Sequence, residues 1–328
     1  MSLEAPAEPP DAGTTAVTSV LTGSVSVTTR PKVTRVVSAH TSVLARLKEI
    51  WRARELLVYL VRTEIKVKYK NSVLGLLWTM VSPALTLAVY TMVFGVFLKN
   101  GMPNFVIYLF SGLLLWNFFS TGILTATGVV VSNAGLVKKV SFPREILALA
   151  AIGSAGVFFF FQACVMVIFM VALQWSPAWP LLYLVLVALV PTLILSCALG
   201  ILLAAVNVYM RDTQHLITVL VGSAWFWACP IVYSFQETLA PRVAADGLGW
   251  VYFLNPLTIL VMTYQRVLYG RLTVRSTQPT HAVLHILPHW PVTTYLWGNG
   301  IVLVFALALF YIAMGVFGRL AGNFAEEL

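Results

Sequence analysis

Residues 146–173 read ILALAAIGSAGVFFFFQACVMVIFMVAL and contain no charged side chain. A helix needs about 20 mostly apolar residues to cross a hydrocarbon core of about 30 Å, and this stretch meets that length. Backbone amides cannot remain unpaired in lipid, so a spanning segment of this kind is helical. Five further segments share these properties, which predicts six membrane-spanning helices in total. The other five are Leu76 to Leu98, Phe105 to Val131, Leu181 to Val206, Ile217 to Phe235 and Gly300 to Phe317.

The overall composition indicates an all-α polytopic membrane protein. Hydrophobic residues make up 59% of the chain and charged residues 10%, and the mean hydropathy is +0.87. These values lie outside the usual range of soluble domains, which excludes a soluble catalytic domain. Cys164, Cys197 and Cys229 lie singly in three different apolar segments. This spacing indicates neither a disulfide framework nor a metal site.

The positive charges fall on alternate breaks between the apolar segments. With a cytoplasmic N-terminus, that side holds the eleven basic residues from Arg30 to Lys70, and then Lys138, Lys139, Arg144, Arg211 and Arg319. The opposite side holds Lys99 and four arginines of one long loop, and long translocated loops count weakly in the positive-inside rule. The pattern predicts a multi-pass protein of the plasma (inner) membrane with both termini cytoplasmic. The net charge of +9 then indicates contact with anionic lipid, not with nucleic acid.

The sequence before the first span divides into two parts. Residues 1–40 are rich in Pro, Ala, Thr, Ser and Val and lack the pattern of a signal peptide, which predicts a disordered cytoplasmic tail. Residues 41–72 place apolar side chains, including Trp51, at helical spacing, with basic residues on other faces. This predicts an amphipathic helix lying in the membrane interface. The alternative is a helix packed against a soluble partner. Residues 73–328 would form the six-helix transmembrane domain.

The longest break, the external region 236–299, has two unusual features. The apolar stretch Trp250 to Met262 is interrupted by an Asn-Pro pair and is short for a span, so we predict a re-entrant or interfacial segment. His281, His285 and His289 follow at four-residue spacing, which would align them on one helical face. Nearby prolines argue against a regular helix, and no acidic or cysteine ligand is close. We therefore predict no metal site, and the role of these histidines stays open.

The chain lacks the residues that most enzymes and ion-coupled carriers need. None of its twelve acidic residues lies in the middle of a predicted span, where proton-coupled carriers need an ionisable relay. No glycine is followed by lysine, so there is no Walker-type phosphate loop. The acidic residues on the predicted outer side are Glu237 and Asp246, too few for the catalytic cluster of a membrane glycosyltransferase. The sequence predicts a non-enzymatic chain without a cofactor, powered by another subunit.

Three groups of motifs follow one another along the chain. The first is RELL at 54–57, KYK at 68–70, LG at 74–75 and Pro83; the second is LVKKVSFPREIL at 136–147; the third is NVYMRD at 207–212, PIVY at 230–233 and NPL at 255–257. Their order resembles the type-2 ABC exporter permeases that move polysaccharides, the Wzm-like permeases of O-antigen, teichoic-acid and galactan export. The resemblance covers most of the chain after about Ala53.

This resemblance implies a fold and a set of partners. Such permeases have an interfacial N-terminal helix, six spans and short re-entrant helices before the last span. They act as homodimers with two copies of a separate ATPase subunit, which binds ATP and magnesium. The first cytoplasmic loop would meet that ATPase through a basic surface, although its cations could instead serve topology alone. The implied coupling residues are Asn133, Lys138, Lys139, Phe142, Pro143, Arg144 and Glu145.

Two further sets of residues are candidates for function. Arg211 and Asp212 lie where the fourth segment leaves the membrane. They could form a local ion pair, or Arg211 could contact the partner or a lipid phosphate through bidentate hydrogen bonds. Aromatic rings could line a sugar channel, or they could pack against neighbouring helices and lipid. The candidate channel aromatics are Trp116, Phe119, Trp225 and Trp227.

The sequence as a whole predicts the permease subunit of an ATP-driven ABC exporter. Its cargo would be a lipid-linked polysaccharide, moved from the cytoplasmic to the outer face of the membrane. The Ala- and Val-rich chain with its Thr- and Pro-rich tail favours a cell-wall galactan. The alternatives are an ABC permease for a drug or small lipid and a membrane glycosyltransferase.

Overall fold

A computed structural model of the chain describes residues 42–70, 72, 74–239, 252–278 and 282–328. The predicted tail 1–40, Trp250 and His281 lie outside the described residues. Within the described ranges the chain is helical apart from its loops and one two-stranded hairpin. This confirms the prediction of an all-α membrane protein.

The helices follow the order in which the apolar segments occur. They are α1 Val43–Arg52, α2 Arg54–Lys68, α3 Trp78–Tyr90, α4 Phe105–Ser132, α5 Ala134–Lys139, α6 Glu145–Ala172, α7 Tyr183–Tyr209, α8 Asp212–Val219, α9 Pro256–Leu268, α10 Val292–Leu320 and α11 Phe324–Glu327. Wider π-helical turns continue α3 over Thr91–Phe97 and α8 over Leu220–Trp225. Strand β1 Thr273–Arg275 pairs antiparallel with β2 Val283–His285.

Within the described residues, five helical segments are long and apolar enough to cross a membrane. They are Trp78–Phe97, Phe105–Ser132, Glu145–Ala172, Trp179–Tyr209 and Val292–Asn323. These segments correspond to five of the six predicted spans. The last helix begins well before the predicted Gly300, and Asn299 in its early turns is bonded inside the protein: its amide donates to Thr263 Oγ1 at 2.9 Å and to the Tyr295 carbonyl at 2.7 Å.

The remaining predicted span, Ile217 to Phe235, does not form one long helix. Helix α8 and its π-helical continuation end near Trp227, and turns occupy Ala228 to Ser234. The residue before a proline disfavours the helical conformation, so Pro230 accounts for this end. At about 1.5 Å per residue, a helix from Asp212 to Trp227 measures roughly 24 Å, less than the roughly 30 Å of a bilayer core. The structure therefore supports five spans and leaves the predicted sixth unconfirmed.

Helix α4 lies at the centre of the bundle. Its apolar side chains are largely buried, and it packs on both α6 and α7, while α10 packs on α7. Small residues permit the close approach of these helices: a Cβ added at Gly200 of α7 would lie 2.9 Å from both Ala126 of α4 and Ile152 of α6. Close packing through small residues is the usual means of helix association in lipid, because the hydrophobic effect does not drive helices together there.

Loop contacts define the distal end of the bundle, the end that carries the β-hairpin. Tyr269, just after α9, donates its hydroxyl to the Pro103 carbonyl at 3.0 Å, and its own carbonyl accepts from the Trp175 indole at 3.1 Å. The hairpin joins this group because Thr277 donates its backbone N–H to the Gly101 carbonyl. The start of α4 and the end of α6 therefore meet here, as an up-and-down arrangement requires. The sequence did not predict the hairpin.

The predicted re-entrant stretch becomes the buried helix α9. Asn255 caps it by accepting from the Leu257 backbone N–H at 3.1 Å, and Pro256 occupies the first helical position, where its missing N–H costs nothing. The same Asn255 side chain accepts from the Trp225 indole at 3.0 Å. The Asn-Pro pair that interrupts the apolar pattern thus starts a helix and fastens it to the end of α8.

The segment 41–72, predicted as one amphipathic helix, contains the two helices α1 and α2. Ser42 caps α1, and the chain changes direction at Ala53, whose φ of −91° and ψ of 20° depart from helical values. Helix α2 then packs along α6, where Gly153 lets Val61 approach closely. Leu44 and Trp51 of α1 remain exposed.

Candidate functional site

The loop between α4 and α6 contains the predicted coupling residues, and the end of its short helix α5 is exposed. Asn133 follows α4, and its amide donates to the Val129 carbonyl at 2.8 Å. In the short helix α5, Val137 is buried and holds the helix against the bundle. Lys138 and Lys139 in the last turn are exposed. This part of the loop presents two cations to its surroundings.

The second half of the loop faces the protein interior. Phe142 and Pro143 are half-buried, and Glu145, the first residue of α6, is buried. Glu145 forms a salt bridge with Arg46 of α1, in which Nη1 and Oε1 are 2.7 Å apart and the side chains are 12% and 5% exposed. Arg46 also donates through Nη2 to the Gly318 carbonyl of α10 at 3.2 Å. One guanidinium therefore joins the loop to α1 and α10.

Arg144 is held by the C-terminal part of the chain. It donates to the carbonyl of Ala321, just after α10, and its guanidinium lies 5.7 Å from the centroid of the Phe324 ring. Phe324 is fully buried and meets Phe317 edge-on at 5.3 Å. Burial lowers the pKa of Arg144, and the neighbouring Glu145 carboxylate opposes this shift. The guanidinium thus makes internal contacts instead of facing outward as the lysines do.

The end of α7 completes this arrangement. The Tyr209 hydroxyl donates to the Leu320 carbonyl at 2.9 Å, and its ring packs edge-on against Phe324 at 6.1 Å. Ends of α1, α7 and α10 and the start of α6 therefore meet at one place, which defines the proximal end of the bundle. We name its members the proximal cluster: Arg46, Arg144, Glu145, Tyr209, Gly318 and Phe324.

Arg211 and Asp212 lie on the connection from α7 to α8, and both are exposed. Asp212 starts α8, where a carboxylate interacts favourably with the helix dipole. Within the described ranges the salt bridge is Arg46–Glu145, and Arg211 and Asp212 form none with each other. The structure thus leaves the Arg211 side chain facing outward.

The four candidate channel aromatics divide between core and surface. Phe119 is fully buried and meets Trp225 edge-on at 5.1 Å, and Trp116 is 6% exposed and packs against Phe226. Trp225 is half-buried and held by its hydrogen bond to Asn255. Trp227 is 52% exposed. Trp116 and Phe119 therefore act as packing residues within this chain, and Trp227 presents the accessible ring.

Sequence reasoning missed Arg46, Gly318 and Phe324 as partners of the coupling loop. Arg46 lies 99 residues from Glu145 and 272 residues from Gly318, so no local spacing connects them. In the sequence, Arg46 is one of many basic residues before the first span. The charges of Arg46 and Glu145 do not by themselves indicate this contact, because the sequence does not show which helix ends meet.

Comparison with known proteins places the chain in a family. Residues 55–269 match the family described as ABC-2 type transporter. The chain belongs to this family. As an ABC-2 transporter chain with several long apolar helices, it is a multi-pass membrane protein, and its family implies an ATPase partner.

Relatives of this ABC-2 transporter chain include polysaccharide export proteins. The O-antigen export system permease protein RfbA of Myxococcus xanthus is 32% identical over 68% of this chain and 84% of its own length. RfbA of Klebsiella pneumoniae is 24% identical over 64% of this chain and 79% of its own length. The polysialic acid transport protein KpsM of Escherichia coli is 24% identical over 60% of this chain and 75% of its own length.

The family match divides the proximal cluster. Arg144, Glu145 and Tyr209 lie within residues 55–269, whereas Arg46, Gly318 and Phe324 lie outside. The contacts between them therefore tie the matched region of this ABC-2 transporter chain to the helices on either side of it.

Proposed function

We propose that this chain is the permease subunit of an ATP-driven exporter that moves a lipid-linked polysaccharide from the cytoplasmic to the outer face of the cell (inner) membrane. The observation that carries the proposal is the 32% identity to an O-antigen export permease over 84% of that protein's length. The KpsM relative, named for polysialic acid transport, supports the same class of cargo. A cell-wall galactan is the specific cargo favoured by composition.

Two copies of this chain would form the membrane part of the exporter, together with two copies of a separate ATPase. ATP and magnesium would bind to the ATPase, and this chain would perform no covalent chemistry. The exposed Lys138 and Lys139 on α5 support a docking contact, because complementary charge steers and orients such interfaces. Arg211, also exposed, would contact the ATPase or an anionic lipid phosphate.

The proximal end would face the cytoplasm. This orientation is supported by the positive-inside rule, because α5, Arg211 and Arg319 all belong to that end. Both termini would then be cytoplasmic. Lys138 and Lys139 would lie on the side where ATP is available to a partner.

The proximal cluster supplies a physical route from ATPase to membrane helices. A push on α5 would reach α6 through Arg144 and Glu145, whose partners lie on α1 and beyond the end of α10. Charged contacts of this kind resist separation, so the helix ends would move together. A path would then open between the two copies, where the accessible ring of Trp227 could support sugar faces, while Trp116 and Phe119 keep the core rigid.

Reconstitution tests this proposal. The purified chain alone should hydrolyse no ATP above background, and the complex with its cognate ATPase should hydrolyse ATP and transfer a lipid-linked glycan across proteoliposomes. Depletion of the chain should make the glycan accumulate inside cells. Robust ATP hydrolysis by the chain alone would refute the proposal that a separate subunit supplies the energy. Depletion of the chain without glycan accumulation would refute the proposed cargo.

A further inference from the structure

A cavity lies between α2, α3, α4 and α6, away from the proximal cluster. Its volume is about 520 Å³, and Lys68 and Tyr69 at the end of α2 form one wall together with Trp78 at the start of α3. Helices α4 and α6 supply the opposite walls. Nothing in the coupling or channel assignments uses this space.

One wall of the cavity begins where the first span begins. The segment Trp78–Phe97 is the shortest of the spans, at 20 residues. A helix of that length measures roughly 30 Å and just crosses the hydrocarbon core, so its first residue lies near the membrane surface. Trp78 and Tyr69 are residue types that favour this interface. From there the cavity extends along α3 into the membrane, as far as Thr86.

Helix α3 turns a polar stripe toward the cavity. Thr79, Ser82 and Thr86 recur at helical spacing and line the space, and Leu85 and Val89, which neighbour them on the helix surface, are exposed. Polar side chains inside a span are costly unless they face protein or a polar cavity. The Thr86 hydroxyl donates to the Ser82 carbonyl of its own helix at 3.1 Å, and the stripe gives the cavity a polar wall on this side.

An amide pair lies on the cavity walls that α4 and α6 form. Asn117 of α4 donates through Nδ2 to Gln162 Oε1 of α6 at 3.1 Å, and both residues line the space. Each amide has further donor and acceptor sites beyond this bond. Paired amides beside the aromatic rings of Phe118 and Phe159 resemble the surroundings that a sugar needs, with hydrogen bonds for its hydroxyls and flat faces for its ring.

Lys68 places a cation in the part of the cavity that the end of α2 forms. Its Nζ lies 4.3 Å from the centroid of the Phe158 ring, and Tyr69 meets the same ring edge-on at 5.9 Å. A cation over a ring keeps its N–H donors available to an anion. Glu64, one turn earlier, interacts with Lys68. Burial raises the pKa of Glu64, while a hydrogen bond with Ser154 and the Lys68 charge lower it, and burial lowers the pKa of Lys68, which the Glu64 charge opposes.

We propose that this cavity binds the sugar–phosphate head group of an anionic glycolipid, with the phosphate at Lys68 and the first sugar at Asn117 and Gln162. The inference rests on the proposed function, because a lipid-linked glycan supplies both chemical groups. An ordinary phospholipid supplies the phosphate but no sugar ring for the amide pair and the stripe on α3. The cavity would hold the head group of the cargo before export.

The first test measures binding by the full complex with its ATPase in phosphatidylcholine nanodiscs. The probe is a polyprenyl diphosphate carrying one N-acetylglucosamine. Lys68→Gln should weaken its binding about tenfold, since a charge-assisted hydrogen bond is lost, and Lys68→Arg should bind within about twofold of the unaltered protein. Lys70→Gln is the matched control, because Lys70 is exposed on the same segment and does not line the cavity; it should bind normally. Equal binding by the Lys68→Gln and Lys70→Gln proteins would overturn the inference.

The second test separates the sugar from the phosphate. Asn117→Leu combined with Gln162→Leu removes both amides together, so that no single amide remains without its hydrogen-bond partner. This variant should bind the sugar-bearing probe less tightly and the sugar-free polyprenyl diphosphate normally. Equal loss for both probes would refute a sugar site at the amides.

A third arm distinguishes the source of the phosphate. Phosphatidylglycerol added to the nanodiscs should compete only weakly with the probe. If it competes as strongly as the sugar-bearing probe does, the cavity is a site for bulk anionic lipid and the inference is overturned. Normal glycan export by Lys68→Gln and by the double variant would also overturn it, while the proposed function stands. Lys68-dependent probe binding without glycan export by the unaltered complex would instead refute the function and keep the glycolipid site.

Discussion

The guanidinium of Arg46 occupies the space beside Gly318 that a side chain would need. Its Nη2 donates to the Gly318 carbonyl at 3.2 Å, and a Cβ added at this glycine would overlap the guanidinium. The contact joins α1 to α10 and sets the position from which Arg46 reaches Glu145. The absence of a side chain at residue 318 is therefore a condition for the proximal cluster.

Gly318→Ala should destabilise the protein. The added methyl displaces Arg46, and overpacking of this kind typically costs about 1–3 kcal/mol. Gly315→Ala on the same helix is the matched control, because nothing lies within 4 Å of a Cβ there and alanine favours a helix. Thermal unfolding of the purified proteins in detergent should show a lower Tm for the first variant only. Equal Tm values would mean that Arg46 moves aside without cost.

The Arg46–Glu145 pair should show strong coupling in a double-mutant cycle. Removing one member of a buried ion pair costs about 3–5 kcal/mol, since the other charge remains buried. Arg46→Met and Glu145→Gln should each be destabilising, and the double variant should lose much less than their sum. The free energies of unfolding of the four proteins give the coupling directly. Additive losses would show that the two side chains act independently.

Reversal of the two exposed lysines should weaken docking of the ATPase. Lys138→Glu with Lys139→Glu makes an attractive surface repulsive, and both side chains are exposed, so stability should change little. The measurement is copurification of the ATPase. Lys99→Glu, in the loop before α4, is the control for a change of charge elsewhere. Normal copurification and export by the double variant would leave these lysines a role in topology alone.

Arg144 should behave differently from those lysines. Arg144→Glu breaks the contacts with Ala321 and Phe324. It should therefore lower the Tm of the protein as well as the coupling of ATP hydrolysis to transport. A loss of ATPase binding at unchanged Tm would contradict this and place Arg144 on the docking surface.

Orientation can be tested with single cysteines at Ser141 and Thr277, both exposed and in the loops before α6 and after β1. The background must lack Cys164, Cys197 and Cys229. An impermeant thiol reagent added to intact cells should label the cysteine at 277 and spare the one at 141, because the proximal end is proposed to face the cytoplasm. Equal labelling would contradict that orientation.

Sequence reasoning located most of the fold because hydropathy and helix length follow directly from the bilayer. The stretch after Glu145 and the one after Phe105 could only be helices. The break at Ala53 was missed, since neither proline nor glycine marks it, and the turns from Ala228 to Ser234 within the predicted span Ile217 to Phe235 were not foreseen despite Pro230. Hydropathy also gives no sign of whether an aromatic residue faces the core or lipid, so Trp116 and Trp227 were grouped together although their burial differs.

The candidate site was predicted in part, for a related reason. The loop could be identified from its motif, and the exposure of Lys138 and Lys139 agrees with a docking surface. The inward half could not be foreseen, because the partners of Arg144 and Glu145 are remote in sequence and depend on which helix ends meet.

The contact between Arg144 and Ala321 also has a consequence for biosynthesis. The two residues are 177 positions apart, and at about 5–20 residues per second the ribosome needs roughly 9–35 s to travel from one to the other. During that interval the loop lacks the C-terminal segment that holds its inner half. An ATPase that recognises the finished loop would therefore bind completed chains in preference to nascent or C-terminally truncated ones.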